Sequence, residues 1–186
     1  MATIPVYITW VAGTVVSASQ LQSQIRDAGN FFKARPYCLA FNAAGTSISN
    51  NSLSPLPLDG EVEDNDNMHS TSTNNSRLIC QTPGVFDAKT YTAWSNNNTG
   101  VRLHAVRLNA AGSGSGGTSI VPGVGGQPSG IGAGQIITSL AFTYRFVNIG
   151  DYLEMFVLQN NTAPGGALAV GAGAYATGFS LMWAIA

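Results

Sequence analysis

Along most of this chain apolar side chains alternate with polar or small ones, the two-residue rhythm of a strand, and one stretch departs from it. Leu21, Ile25, Ala28 and Phe32 recur at the three- and four-residue spacing of a helix face. Ahead of them Ser17-Ala18-Ser19-Gln20 has capping-box spacing, in which the serine oxygen accepts from the backbone three residues on and the glutamine reaches back. Pro36 closes the segment, because the residue before a proline disfavours the α region. The pattern predicts one amphipathic helix of about four turns, with Gln22, Arg26 and Lys33 away from its apolar stripe.

Before the helix, Ile4, Val6 and Ile8 alternate with Pro5 and Tyr7, and Trp10 follows, which reads as an extended arm. An arm of this kind does not bury its apolar side chains alone, so Ile4, Val6, Ile8 and Trp10 are the candidate attachment residues. After the helix only strand signals remain, separated by turn residues, at 36–44, 52–58, 77–81, 84–95, 100–109, 135–147, 151–160 and 175–186. Eight such strands predict an all-β jelly-roll sandwich over 35–186, preceded by an arm and helix over 1–34.

Two strands carry more apolar surface than one core face uses. Tyr152, Phe156 and Leu158 line one side of the seventh strand and Leu153, Met155 and Val157 the other. The last strand sets Phe179, Leu181, Trp183 and Ile185 on one face. A strand apolar on both sides has core on one and another surface on the other, here read as a sister subunit. With the helix stripe, Leu21, Ile25, Phe32, Tyr152, Phe156, Phe179 and Trp183 are the candidate subunit-interface residues. Residues 110–134, rich in Gly, Ser and Pro, are expected to form an exposed, plastic excursion between strands.

Composition sharpens this picture. Only 9% of the 186 residues are charged, against about 25% in an average soluble chain, so solubility rests on Asn, Ser and Thr or on burial in an assembly. A net charge of −1 supplies no basic field for phosphate, which argues against nucleic-acid binding. No charged residue occurs from Met155 to Ala186, yet Asn160-Asn161, Pro164-Gly165-Gly166 and later glycines interrupt the run, and membrane insertion is not expected. The N-terminal residues lack the positive region of a secretory signal, so synthesis in a cytoplasm is expected. Cys38 and Cys80 are read as buried small apolar residues, with a single bridge between them as the alternative.

One block is specific. His69-Ser70-Thr71-Ser72-Thr73-Asn74-Asn75-Ser76-Arg77-Leu78-Ile79-Cys80, a polar loop entering a strand, precedes Pro83-Gly84 and the strand start Gly84-Val85-Phe86. Thr99-Gly100-Val101-Arg102, Gly150-Asp151-Tyr152-Leu153-Glu154 and Gln159-Asn160-Asn161 follow in order. Together these resemble the small jelly-roll trimers of the complement-head and tumour-necrosis-factor type, in the version found among virion proteins of tailed bacteriophages. The likeness covers roughly 33–186, and the helical stretch before it is similar to the segment that often precedes such phage domains. It implies a homotrimer and a virion setting, and it implies no catalytic residues.

Candidate chemistry is thin. Gly112-Ser113-Gly114-Ser115-Gly116-Gly117 satisfies a dinucleotide fingerprint in letters, but the mechanism requires a strand before and a helix after, and neither flank is helical. Glu61 to Asn67 gathers carboxylate and amide oxygens of the kind a hard cation takes, making Asp64 and Asp66 calcium candidates beside the plainer reading of a solvated acidic loop. His69 and His104 have no partner at metal-ligand spacing, and Asp151 and Glu154 stand at odd spacing on a strand, which sends them to opposite faces. No cofactor or enzymatic activity is expected. Trp94, Asn97, Ser70 and Asn74 are the candidate surface-loop residues for a glycan. The expected function is a structural virion protein of a tailed phage, a trimer that decorates the capsid or projects as a short fibre, anchored to a capsid or tail protein by its N-terminal segment. The alternative is a minor tail protein or fibre tip that binds a host-surface glycan.

Overall fold

The structure, a computed structural model, describes residues 2–126, 136–161 and 166–185. The N-terminal helix starts at α1 (Ala18–Leu21), widens through a π turn at Gln22–Asp27 and continues as α2 (Ala28–Lys33). Its cap is the expected one: Ser17 Oγ accepts from Gln20 N and Gln20 Oε1 accepts from Ser17 N. Among the described residues the strands are β1 (Tyr37–Phe41), β2 (Thr46–Ile48), β3 (Ser54–Pro55), β4 (Gly60–Asp64), β5 (Arg77–Ile79), β6 (Gly84–Trp94), β7 (Arg102–Leu108), β8 (Thr118–Gly126), β9 (Ile136–Phe146), β10 (Tyr152–Gln159), β11 (Leu168–Val170) and β12 (Thr177–Ile185).

They form two antiparallel sheets. In the first the order is β2-β11-β6-β12-β1-β4, with β9 on the free edge of β6; in the second it is β3-β10-β7-β8, with β5 beside β3 on β10. Long non-consecutive pairings such as β1 with β12 and β6 with β9 are the winding of a jelly roll. The core fills from alternate positions: Cys38 and Ala40 on β1, Phe86, Ala88 and Trp94 on β6, Phe179, Leu181 and Trp183 on β12, against Val106 on β7 and Leu153, Met155 and Val157 on β10. Phe86 and Phe146 meet edge to face at 5.4 Å. Each such side chain contributes about 1.5–3 kcal/mol on burial.

All eight strands expected from the pattern are present; β2, β4, β8 and β11 lacked a readable rhythm. The largest correction is the Gly-rich stretch. Thr118–Gly126 is not an excursion but edge strand β8, paired to β7 with register shifts around Val106 that accommodate Pro122 and the glycines. Residues 110–117 before it form a fastened loop: Arg107 Nε donates to Gly116 O at 2.6 Å and Gly112 N to Glu154 Oε2 at 2.9 Å. The rest of that expectation, residues 127–134, lies outside the described residues.

A second correction concerns the doubly apolar strands. Phe156, Phe179 and Trp183 are buried by their own chain and are not available to a sister subunit. Phe179 and Trp183 belong to the main core, where Trp183 takes the edge of Phe31 at 4.8 Å. Phe156 sits on the other side of β10 in a small cluster with Ala105, Ala110 and Leu53. Loops of this chain supply the surface that the sequence reading assigned to a partner.

The helix docks on its body through a residue outside the stripe expected at an interface. Phe31, not Phe32, is the residue that packs inward, and Leu21, Ile25 and Phe32 remain 50%, 66% and 66% exposed. The arm is pinned at two places. Thr82 Oγ1 accepts from Ala2 N and donates to Ala2 O, and the Gln24 amide accepts from Ile8 N while donating to Val6 O. Ile4 packs against the main core, whereas Val6, Tyr7, Ile8, Trp10 and Val11 stay exposed.

Candidate functional site

The outer face of the first sheet is the surface the fold leaves unfinished. Strand alternation puts Tyr37, Leu39 and Phe41 of β1 there, beside Tyr91 of β6 and Met182 of β12, all half-buried. Gly178 of β12 pairs with Tyr91 on one side and Phe41 on the other. A Cβ at Gly178 would stand 2.5 Å from the Tyr91 hydroxyl, so only glycine lets that ring lie flat across the sheet. Tyr91 then donates to the carbonyl of Ala174. Burial is the main cause that raises the Tyr37 and Tyr91 pKa values, with the Glu63 carboxylate next for Tyr37 and Tyr37 itself next for Tyr91. Both phenols are neutral near pH 7.

An open depression of about 590 Å³ runs across this face, lined by Phe32, Arg35, Tyr37, Leu39, Tyr91 and Met182 among others. Arg35 Nη2 reaches Met182 Sδ at 3.2 Å. Lys33, Arg35 and Lys89 share its rim with Glu63 and Asp87, so the charges are mixed in sign. Exposed Leu21 and Ile25 line a second, more open hollow on the helix with Ala18, Gln22 and Arg26. Of the expected interface residues on the helix, Phe32 lines the depression on the sheet, and Leu21 and Ile25 line a hollow of their own. Tyr37, Leu39, Tyr91 and Met182 were missed; the readable signal was the alternation of Tyr37, Leu39 and Phe41 with buried Cys38 and Ala40.

Tyr152 is engaged within the chain: the Arg77 guanidinium lies 4.5 Å over its ring and its hydroxyl accepts from Ala111 N at 2.9 Å. The glycan candidates separate. Trp94 is fully buried, its Nε1 donating to Thr138 Oγ1 at 3.2 Å, and offers no surface to a sugar. Asn97 works as a turn former: its side-chain oxygen accepts from Thr99 N at 2.9 Å and its carbonyl from Arg102 Nη2 at 3.3 Å. Ser70 and Asn74 share one loop, in which Ser70 Oγ accepts from Thr73 N and exposed Asn74 takes the left-handed turn at φ 51°.

Of the two calcium candidates, Asp64 is spent on the backbone. The Asp64 carboxylate accepts from Met68 N at 2.9 Å and His69 N at 2.8 Å, and Asp66 is buried. Among the described residues no group of three or more His, Cys, Asp or Glu stands close enough to hold a metal ion. Cys38 and Cys80 are free, buried thiols, and burial followed by nearby carboxylates pushes the pKa of Cys80 up to about 11. No described helix is long and apolar enough to cross a membrane.

No protein-family model matches the chain, and no curated protein does. Solved structures do. The globular domain of zebrafish complement 1qA protein superposes with a TM-score of 0.54 at 10% identity, over 80% of this chain and 97% of that one. Murine APRIL at pH 5.0 superposes with a TM-score of 0.57 at 9% identity, over 80% and 98%. The chain has the jelly-roll fold of these proteins. At such identities the likeness is one of fold.

Proposed function

We propose that this chain is a non-catalytic structural subunit that assembles as a homotrimer through the outer face of its first sheet, with the Leu21, Ile25 and Phe32 stripe extending the contact. The observation that carries this reading is the half-buried aromatic and aliphatic patch of Tyr37, Leu39, Tyr91 and Met182 inside a rim of both charge signs. A rim that mixes signs suits a copy of itself better than a strongly charged partner. In the same reading the trimer is a virion component of a tailed phage, a capsid decoration or short fibre held to a capsid or tail protein by the exposed part of the arm. The His69 to Cys80 resemblance supports the virion setting, and exposed Val6, Ile8 and Trp10 support the attachment. Light scattering on the purified chain is expected to give three times the 19.3 kDa chain mass, and antibody labelling is expected to find the chain on purified particles. A monodisperse monomer overturns the trimer; absence from the particles overturns the virion role.

A second reading, recognition of a host-surface glycan, rests on the Ser70–Asn75 loop with its exposed Thr71, Ser72, Thr73 and Asn74, since buried Trp94 removes the aromatic part of that surface. Cell binding unchanged in Asn74→Ala and Ser70→Ala counts against it.

A further inference from the structure

Glu61 and Glu63 stand two apart on β4, where regular alternation puts both on one face. The register with β1 breaks that regularity: Glu63 pairs with Leu39 and Glu61 with the next residue, Ala40, so β4 carries a bulge between them. Leu39 is on the outer face and Ala40 is in the core, and the bulge therefore re-aims Glu61 away from the side of Glu63.

There its Oε1 lies 2.7 Å from Nδ1 of His69, whose side chain is fully buried. The other ring nitrogen, Nε2, lies 3.0 Å from the carbonyl oxygen of Asn75, which also accepts from Leu58 N. A carbonyl only accepts, so Nε2 carries a hydrogen. Neutral imidazole has a single N–H, which leaves Nδ1 as a lone pair pointed at a carboxylate. The Glu61 contact is attractive only when a second proton sits on Nδ1 or is shared with Oε1.

The charged groups around the ring agree with this. Glu61 faces it from β4, and the Asp64 carboxylate lies beside it, bound to the His69 backbone N–H. Glu63 lies on the opposite side of the strand at the outer depression, and Arg77, just past the loop, is committed to Glu154 and the Tyr152 ring.

We infer that Glu61, His69 and the Asn75 carbonyl form a proton-dependent clasp that holds the Ser70–Asn75 loop against β4. With the proton bound, both ring nitrogens donate and the two ends of the loop are tied through one side chain. When the proton leaves, the Nδ1 lone pair and the Glu61 carboxylate repel, one of the two bonds is lost, and exposed Thr71, Ser72, Thr73 and Asn74 lose a fixed shape. The clasp depends on neither the trimer nor the virion setting.

Amide hydrogen exchange on the full chain tests it, at about pH 5.5 and about pH 8 with intrinsic rates divided out. Protection of the 70–76 amides is expected to be roughly tenfold greater at the lower pH. In Glu61→Gln the side-chain amide donates to neutral Nδ1, so the loop stays closed and the pH dependence disappears. Nitrogen spectra of the unmodified His69 ring supply a readout that does not depend on the variant folding: both nitrogens are expected to be protonated near pH 5.5. Equal protection at the two pH values, a dependence that survives Glu61→Gln, or a singly protonated ring at the lower pH overturns the clasp.

Discussion

The outer faces of the two sheets began with the same sequence pattern and ended in opposite states. On the second sheet Tyr152, Glu154 and Phe156 of β10 point away from the core; the chain's own loops bury Glu154 and Phe156 completely, and Tyr152 is half-buried with its hydroxyl accepting from Ala111 N. Leu53 and Ala110 lie on Phe156, and Glu154 fastens that cover by accepting from Gly112 N and from the hydroxyl of Ser76. On the first sheet Tyr37, Leu39, Tyr91 and Met182 make a comparable patch, and among the described residues no loop closes over it. A doubly apolar strand thus calls for a cover without naming its source. The length and attachment of nearby loops decide whether the cover is internal or another subunit.

The contrast can be broken from either side. The largest effect is expected for Phe156→Ala, which empties the covered side of the second sheet and is expected to cost about 3–5 kcal/mol in urea titrations. If Phe156 were instead a subunit contact, that loss would fall as the protein is diluted. Next comes His104, on the inner side of the same sheet. Burial pushes its pKa down to about 4, so the folded state holds it neutral. The stability this protects is intact above the ordinary value near 6.5 and falls away as pH drops towards 4, by about 3 kcal/mol in all. Urea midpoints measured from pH 7 to pH 4 should follow that slope, and His104→Met should flatten it.

A smaller loss, about 1–3 kcal/mol, is expected for Ser76→Ala, which removes one donor from the buried Glu154 carboxylate and loosens the cover. Limited proteolysis within 110–117 is the sensitive readout. The smallest change in fold stability, within about 0.5 kcal/mol, is expected for Leu39→Arg on the open face. The same substitution is expected to abolish self-association in light scattering. An unchanged assembly mass would show that the first sheet's outer face is not the contact surface.

Much of the strand framework was legible because burial on one face writes a period of two into the residues. Phe86, Ala88 and Thr90 alternate with Val85, Asp87 and Lys89, and β6 follows. β8 was not legible, because a bulged edge strand containing Pro122 and several glycines has no steady rhythm. The helix was legible from its cap and spacing, but the residue that docks it was not. Phe31 and Phe32 are neighbours of equal hydrophobicity, and only the packing against Trp183 distinguishes them. The candidate surface was half legible: Phe32 followed from periodicity with Leu21 and Ile25, whereas Tyr91 and Met182 meet it only across β6 and β12.

By itself, the order of residues determined the sandwich, the capped helix and the excess of apolar surface, since these depend on short-range period and composition. Tertiary structure alone decided which excess is covered within the chain. It also decided where a carboxylate such as Glu154 or Glu61 finds its donors, because partners dozens of residues away are set by register and by a single bulge. The physical reason is that periodicity is a local property of the chain, while burial belongs to the surfaces that folding brings together.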